Sequence, residues 1–114
     1  DESKRFARLD EVFLGGEENR LIVMFNSRVH LVADYIRKRG LKDCRVVGFD
    51  FIEKNVAALK DGTVDTLIAQ HSDRQAAAAV LSLVDMYIHG KEVSRKDNFT
   101  SMDILNVYNC DYYM

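Results

Sequence analysis

Proline and tryptophan are absent from this 114-residue sequence, and cysteine occurs only twice. With no proline and no Ser/Gly-rich stretch there is no candidate linker, so the chain is read as one compact unit without an internal boundary. Cys44 and Cys110 lie far apart, outside any Cys-x-x-Cys or Cys/His spacing, and are expected to be ordinary free thiols rather than metal ligands or a disulfide framework. Long apolar runs are missing too. Leu21 to Phe25 and Ala76 to Leu81 fall well short of the roughly 20 residues a membrane-spanning helix needs. Nor is there an excess of one charge: 16 basic residues against 18 acidic ones leave a formal charge of -2. That is not the positive field that drives binding to a phosphate backbone. If the protein acts on DNA, these residues are not expected to be the part that touches it. The first residue is Asp1 and no apolar leader pattern follows, so the start is read as processed or truncated, with no secretion signal.

What is present is enough apolar side chain for a core. Hydrophobic residues make up 47% of the chain and charged ones 30%, which excludes a disordered or fibrous class. Helical periodicity begins at about Lys4 to Leu14, with Phe6, Leu9 and Phe13 on one face and Gly15-Gly16 as the stop. An unbroken apolar run, Leu21 to Phe25, then reads as a buried strand ending at Asn26-Ser27. Val29, Val32, Ala33 and Ile36 mark a second helix, closed by Gly40 behind the basic turn Arg37-Lys38-Arg39. The pattern repeats with a strand over Cys44 to Phe49 ending in Asp50, a helical face at Ile52, Val56 and Leu59, and Gly62 as its stop. A third strand, Thr66 to Ala69, ends in Gln70. Ser72-x-x-Gln75 has the form of a capping box at the head of a long helix carrying Ala77, Val80, Leu81, Val84 and Ile88. After a polar connection at Lys91 to Asn98, Met102 to Val107 reads as a short last strand, followed by an irregular tail. Runs apolar at every position suit strands covered on both faces, and the intervening helices supply the crossovers that parallel strands need. The expected fold class is α/β, a mainly parallel sheet with helices on both faces.

Ligands of open parallel sheets bind beyond the carboxyl ends of the strands. Three of the predicted strands finish there in hydrogen-bonding side chains: Asn26, Asp50 and Gln70. Two amides and a carboxylate offer both donors and acceptors, the set a neutral polyol needs if each hydroxyl is to give and take a hydrogen bond. A sugar is the expected ligand, with Ser27, Phe51 and His71 at the pocket rim. Strand ends also carry polar residues for turn and capping reasons alone, and that reading stands beside the functional one. His71 taken alone reads more readily as a solvated loop residue than as a rim residue.

Other chemistries find less support. His30, His71 and His89 show no ligand-pair spacing, so no metal site is expected. Gly48 lies inside Val46-Val47-Gly48-Phe49 and Gly15-Gly16 follows a helix, so no phosphate loop is formed and no nucleotide or other cofactor is expected. No nucleophile elbow or Cys/His pairing is visible, and the chain is not expected to be an enzyme. A response-regulator receiver would use Asp50 as its acceptor carboxylate. It would also need an acidic cluster after the first strand, where Asn26-Ser27-Arg28 stands, and a lysine at the end of a later strand, where Gln70 and Val107 stand. The tyrosines Tyr108, Tyr112 and Tyr113 are read as packing a terminal segment, with a stacking platform as the alternative.

The stretches Val46-Val47-Gly48-Phe49-Asp50, Ala58-Leu59-Lys60-Asp61-Gly62-Thr63-Val64-Asp65 and Leu67-Ile68-Ala69-Gln70, with Gln75 following, together resemble the carboxyl-terminal lobe of ribose-type periplasmic binding proteins and lactose-repressor-type (LacI-type) regulators. The resemblance covers about Leu21 to Asn109. It implies a sugar held between two lobes by the residues matching Asn26, Asp50 and Gln70, which agrees with the strand-end argument. Phe25 to His30, Met102 to Leu105, and Asn109 to Tyr113 are similar to the regulator branch. A cytoplasmic, homodimeric regulator with a separate helix-turn-helix headpiece is therefore implied, and a periplasmic transport receptor is the alternative. The resemblance further implies that the amino-terminal lobe lies outside this chain, and that ring stacking and much of the sugar specificity come from there. The family's common Asn-Asp pair is Asn26-Ser27 in this sequence, which puts one acidic contact in doubt.

Overall fold

A computed structural model describes residues 1–16, 19–92 and 97–113. Helix α1 (Glu2–Phe13) starts at Asp1, whose carboxylate accepts from the Ser3 amide at 3.1 Å. Strand β1 (Arg20–Val23), helix α2 (Val29–Arg39), strand β2 (Cys44–Phe49), helix α3 (Glu53–Lys60), strand β3 (Thr66–Ala69), helix α4 (Ser72–Tyr87) and strand β4 (Asp103–Leu105) follow. A 3-10 turn at Cys110–Tyr112 closes the described part of the tail. The polar connection expected over 91–98 lies outside the described residues at 93–96.

The four strands form one sheet in the order β1-β2-β3-β4. β1 pairs parallel to β2 with Val23 opposite Val47, and β2 parallel to β3 with Phe49 opposite Ile68. β4 runs antiparallel to β3 with Ile68 opposite Ile104. The architecture is α/β with a mostly parallel sheet, as the alternation of apolar runs and helical periods predicts. Helix α2 ends as its sequence dictates: Gly40 takes the left-handed conformation at φ 62°, and the three basic residues of the last turn sit at the negative end of the helix.

The two faces of the sheet differ. On one, Val46, Leu67, Ala69 and Leu105 meet Val29, Val32, Ala33 and Ile36 of α2, Ala58 and Leu59 of α3, and Cys110 of the tail to form the core. Gly48 lies under Val29, where a Cβ would fall 2.5 Å from a methyl carbon. That close approach is what a glycine inside an otherwise apolar strand permits. On the other face Leu21, Val23, Phe25 and Ile104 are exposed. Helix α4 buries none of its residues, and Val80, Leu81 and Leu83 are all more than half exposed. The radius of gyration, 18.6 Å, reflects this spread; a tightly packed chain of this length would come to about 13 Å.

Helix α1 is held to α2 through one buried tyrosine. The Tyr35 ring meets Phe6 edge-on at 5.2 Å and Phe13 at 5.7 Å. Its hydroxyl donates to Asp10 at 2.8 Å, and Arg39 grips the same carboxylate through two nitrogens at 2.9 and 2.6 Å.

Two predictions follow from this packing. Gly48→Ala must displace Val29 and should cost about 1–3 kcal/mol, seen as a lower urea midpoint at unchanged slope; an unmoved midpoint would mean that Val29 gives way freely. The second concerns pH. The hydrogen bond from Arg39, and then that from Tyr35, hold the Asp10 carboxyl below its ordinary range. The folded value is the lower one, so the contribution is complete above the unfolded carboxylate value of about 4 and is lost as pH falls through the folded value. Asp10→Asn should lower the melting temperature at neutral pH by an amount that shrinks toward about pH 2. A pH-independent difference in thermal melts would refute the ionic contribution.

Candidate functional site

The carboxyl ends of β1, β2 and β3 lie side by side, because the parallel registers carry Phe25 beside Phe49 (ring centroids 6.0 Å apart) and Phe49 beside Ile68. Beyond them the chain turns sharply. Asp50 and His71, the residues leaving β2 and β3 toward α3 and α4, both adopt positive φ, 70° and 51°. Such left-handed geometry costs about 1–2 kcal/mol outside glycine. It persists where surrounding contacts over-determine it, and it clusters at functional sites.

The structure joins Asp50 and Gln70 directly: the Gln70 amide donates to the Asp50 carboxylate at 3.0 Å. The backbone of each is tied as well. The Asp50 amide donates to the Ile68 carbonyl at 2.9 Å, and the Gln70 carbonyl accepts from the Gln75 side chain at 2.6 Å. Asn26 stands at the end of the neighbouring strand, but its side-chain oxygen accepts from the Arg28 amide at 2.9 Å, closing the turn into α2. Among the described residues no hydrogen bond links Asn26 to Asp50 or Gln70. Asn26 thus fills the turn role that the sequence left open for strand-end polar residues, while Asp50 and Gln70 face one another.

Three features escaped the sequence. The first is Asn55, fully buried in α3. Its side-chain amide donates to the carbonyls of Ser27 (3.1 Å), Phe49 (3.0 Å) and Asp50 (3.1 Å), and its oxygen accepts from the backbone and ring Nδ1 of His30 at 3.2 and 2.9 Å. One carboxamide therefore clamps the loop after β1 to the loop after β2. Its signal was faint but readable, since Ala58 and Leu59 follow at i+3 and i+4. The buried face of α3 is Asn55-Ala58-Leu59. Ile52, placed on that face by the sequence, instead caps the helix and is partly exposed.

The second is the start of α4. His71 occupies the cap position, so Ser72 falls inside the helix and no side-chain cap forms. The expected capping box is absent because the left-handed turn at His71 takes its place, and Gln75 bonds the Gln70 carbonyl instead. The third is His71 itself. It is buried, not a solvated loop residue, with Nε2 2.7 Å from Asp103 and Nδ1 3.1 Å from the Tyr113 hydroxyl. Tyr113 also packs against Phe51, the ring centroids 4.6 Å apart and the planes inclined by 55°. Of the tail tyrosines it is the one that packs against the body, while Tyr108 and Tyr112 are exposed. Among the described residues no three of His, Cys, Asp and Glu gather as metal ligands would, and no helix is long and apolar enough to cross a membrane.

Over 96% of its length the chain superposes on a protein assigned as a LacI transcriptional regulator from Bacteroides fragilis, with a TM-score of 0.89 and 34% identity. It has the periplasmic-binding-protein-like fold of LacI-type regulators and ribose-type sugar-binding proteins. A solute-binding protein of an ABC transporter from Agrobacterium vitis, bound to tagatopyranose, matches 96% of the chain at 26% identity with a TM-score of 0.76. Another from Actinobacillus succinogenes, bound to D-allose, shares the fold at 15% identity over 99% of the chain, with a TM-score of 0.83. The chain spans 38%, 37% and 40% of these three structures respectively. No protein-family model and no curated protein matches it.

The Asn55 clamp yields a third prediction. Asn55→Ala leaves buried carbonyls and the His30 amide without partners, at a cost of about 2–3 kcal/mol. In Asn55→Asp a carboxylate would confront three carbonyl oxygens, so its deficit should be larger at pH 7 and diminish as that group protonates. Urea unfolding at neutral and mildly acidic pH reads both effects. An alanine variant as stable as the wild type would show that water replaces the clamp.

Proposed function

We propose that this chain is the carboxyl-terminal lobe of a sugar-sensing module in a LacI-type transcriptional regulator. In this reading Asp50 and Gln70, with Asn26 beside them, hydrogen-bond a neutral sugar in a cleft completed by a second lobe outside these residues. The ligand favours the closed arrangement and thereby changes the DNA affinity of a separate headpiece in a cytoplasmic homodimer. The work is binding, not catalysis. The observation that carries the reading is the Asp50–Gln70 pair at adjoining strand ends, in a chain 34% identical to an assigned LacI regulator. A carboxylate oxygen and an amide already aligned on one another present acceptor and donor together, which is what a sugar hydroxyl matches. The uncovered second face of the sheet also fits a lobe completed by further chain.

The second reading, a transport receptor for the same ligand class, draws on the sugar-bound solute-binding proteins that share the fold. The two readings differ in what the sugar controls, DNA retention in one and delivery to a permease in the other.

A thermal-shift screen of the intact protein carrying this lobe, against monosaccharides and oligosaccharides, tests the shared part. A saturable shift is expected, abolished by Asp50→Ala and by Gln70→Ala in proteins that still fold. Asn26→Ala should weaken binding less, since its oxygen already serves the turn. No shift with any sugar, or one indifferent to Asp50 and Gln70, would overturn the assignment. Sugar-dependent release of DNA from the same protein then selects the regulator, and its absence selects the receptor.

A further inference from the structure

We propose that Tyr113 is a positioning residue for the Asp50–Gln70 pair, and that the tail carrying it, residues 106–113, is a latch whose docking and sugar binding favour each other. The functional half of this inference rests on the sugar-binding reading above. The coupling between tail and pair stands or falls without any sugar.

The attachment of the tail is concentrated at two side chains. Tyr108 and Tyr112 are exposed, and the ion pair of Asp111 with Lys60 joins two exposed groups, a kind of contact that holds little. The Cys110 amide donates to the Asn106 carbonyl at 3.0 Å and the Tyr112 amide to the Asn109 carbonyl at 3.1 Å. Those bonds shape the tail without tying it to the body. What ties it down is buried Cys110 and the Tyr113 side chain, both packed with the core. A segment held by so few contacts opens at far lower cost than the core does, so its docking is an equilibrium that a neighbouring event can bias.

Tyr113 makes its contacts with the two residues next to the pair. Its ring lies 4.6 Å from Phe51 and 4.9 Å from His71, and its hydroxyl donates to His71 Nδ1 at 3.1 Å. That nitrogen is left as an acceptor because the Asp103 carboxylate takes Nε2–H at 2.7 Å. Phe51 directly follows Asp50, and His71 directly follows Gln70. Both junctions are left-handed, φ 70° at Asp50 and 51° at His71, conformations that persist while surrounding contacts enforce them. At His71 the enforcing side-chain contacts are Asp103 and Tyr113. Undocking the tail takes a partner from a buried imidazole and loosens this turn. The turn carries the backbone from which Gln70 reaches Asp50 at 3.0 Å. A sugar held by the pair stabilises the turn and so the docked tail, and by linkage the docked tail raises sugar affinity by the same factor.

Amide hydrogen exchange in the intact protein carrying this lobe tests the coupling. The reporters are the Gln75 amide, bonded to the His71 carbonyl, and the Cys110 and Tyr112 amides in the tail. The Asp65 amide, bonded to the Val46 carbonyl ahead of β3, registers global unfolding. Tyr113→Phe keeps the ring and removes the hydroxyl. It should speed exchange at Gln75 as well as in the tail by about fivefold, the worth of one neutral hydrogen bond, with Asp65 unchanged. Asp103→Ala, acting from the other side of the imidazole, should do the same, whereas Asp103→Asn keeps an acceptor for Nε2–H and should stay near the wild type. In the reverse direction, Gln70→Ala should speed exchange at Cys110 and Tyr112. Tyr113→Phe affecting the tail alone, Gln70→Ala leaving the tail unchanged, or Asp65 accelerating equally overturns the latch and makes Tyr113 a local anchor. Titration with a monosaccharide panel, D-ribose and D-arabinose among them, reads the functional half. Tyr113→Phe should weaken the sugar that binds by about fivefold, and saturation with that sugar should slow exchange in the tail. Equal affinity for both proteins overturns the latch and leaves the sugar site standing. Coupled exchange in a protein that binds no sugar overturns the sugar-site reading instead.

Discussion

A single buried carboxamide holds the candidate site in shape. Asn55 is fully buried, yet each of its polar groups has a partner, as burial of an amide demands. Its two N–H hydrogens are shared among three carbonyls, and its oxygen takes a backbone amide and an imidazole nitrogen. Those partners are Ser27 and Asp50 in the two loops that leave β1 and β2, with His30 in the first turn of α2 and Phe49 at the end of β2, so neither loop can move without breaking bonds to Asn55. A positive φ at Asp50 is tolerable only in such a setting, because the carbonyls on either side of that torsion, Phe49 and Asp50, both accept from Asn55. The clamp links a local choice in α3, one polar residue on an apolar face, to the geometry of a carboxylate at the end of a strand.

The same logic runs through the next pair of loops with different residues. Where Asn55 ties the first two loops from beneath, His71 and Tyr113 tie the third to the tail, and Gln70 reaches back across the gap to Asp50. The three strand ends are thereby fixed relative to each other by side chains rather than by the sheet alone, whose strands stop one to three residues short of them. This is the support a binding constellation needs if its donors and acceptors are to stay within fractions of an ångström of a ligand's hydroxyls.

Much of this was legible in the sequence. The apolar runs at 21–25, 44–49 and 66–69, each followed by helical spacing, specified the parallel part of the sheet, and Gly40 and the basic turn before it located the end of α2. The strand-end rule picked out Asp50 and Gln70, which do meet. What was not legible depended on long-range partners. Asn55 shows its role only once the carbonyls of Ser27 and Asp50 are brought to it from other segments. His71 reads as a loop residue until Asp103 and Tyr113, 32 and 42 positions away, enclose it. The capping box failed for a local reason, since a left-handed residue at the cap position shifted the helix start by one. The antiparallel direction of β4 carries no mark in a three-residue strand.

The most informative mismatch concerns the apolar runs themselves. A strand in a sheet with one wet face alternates polar and apolar residues, whereas Leu21 to Phe25 is apolar at every position. Only two of those five side chains find cover here: Ile22 and Met24 pack on the core, while Leu21, Val23 and Phe25 face outward. The row continues across the sheet through Phe49 and Ile68 to Ile104. Helix α4 is exposed in the same way along Val80, Leu81 and Leu83. Exposed apolar surface of this extent is unusual for a self-contained monomer. The pattern is what a sheet covered on both faces would leave if one set of its covering elements were supplied from elsewhere. The core that α2 and α3 build on the first face is complete without that cover, and it is this face, through Asn55 and the loops it joins, that carries the candidate site. The geometry of Asp50 and Gln70 therefore depends on packing internal to this chain.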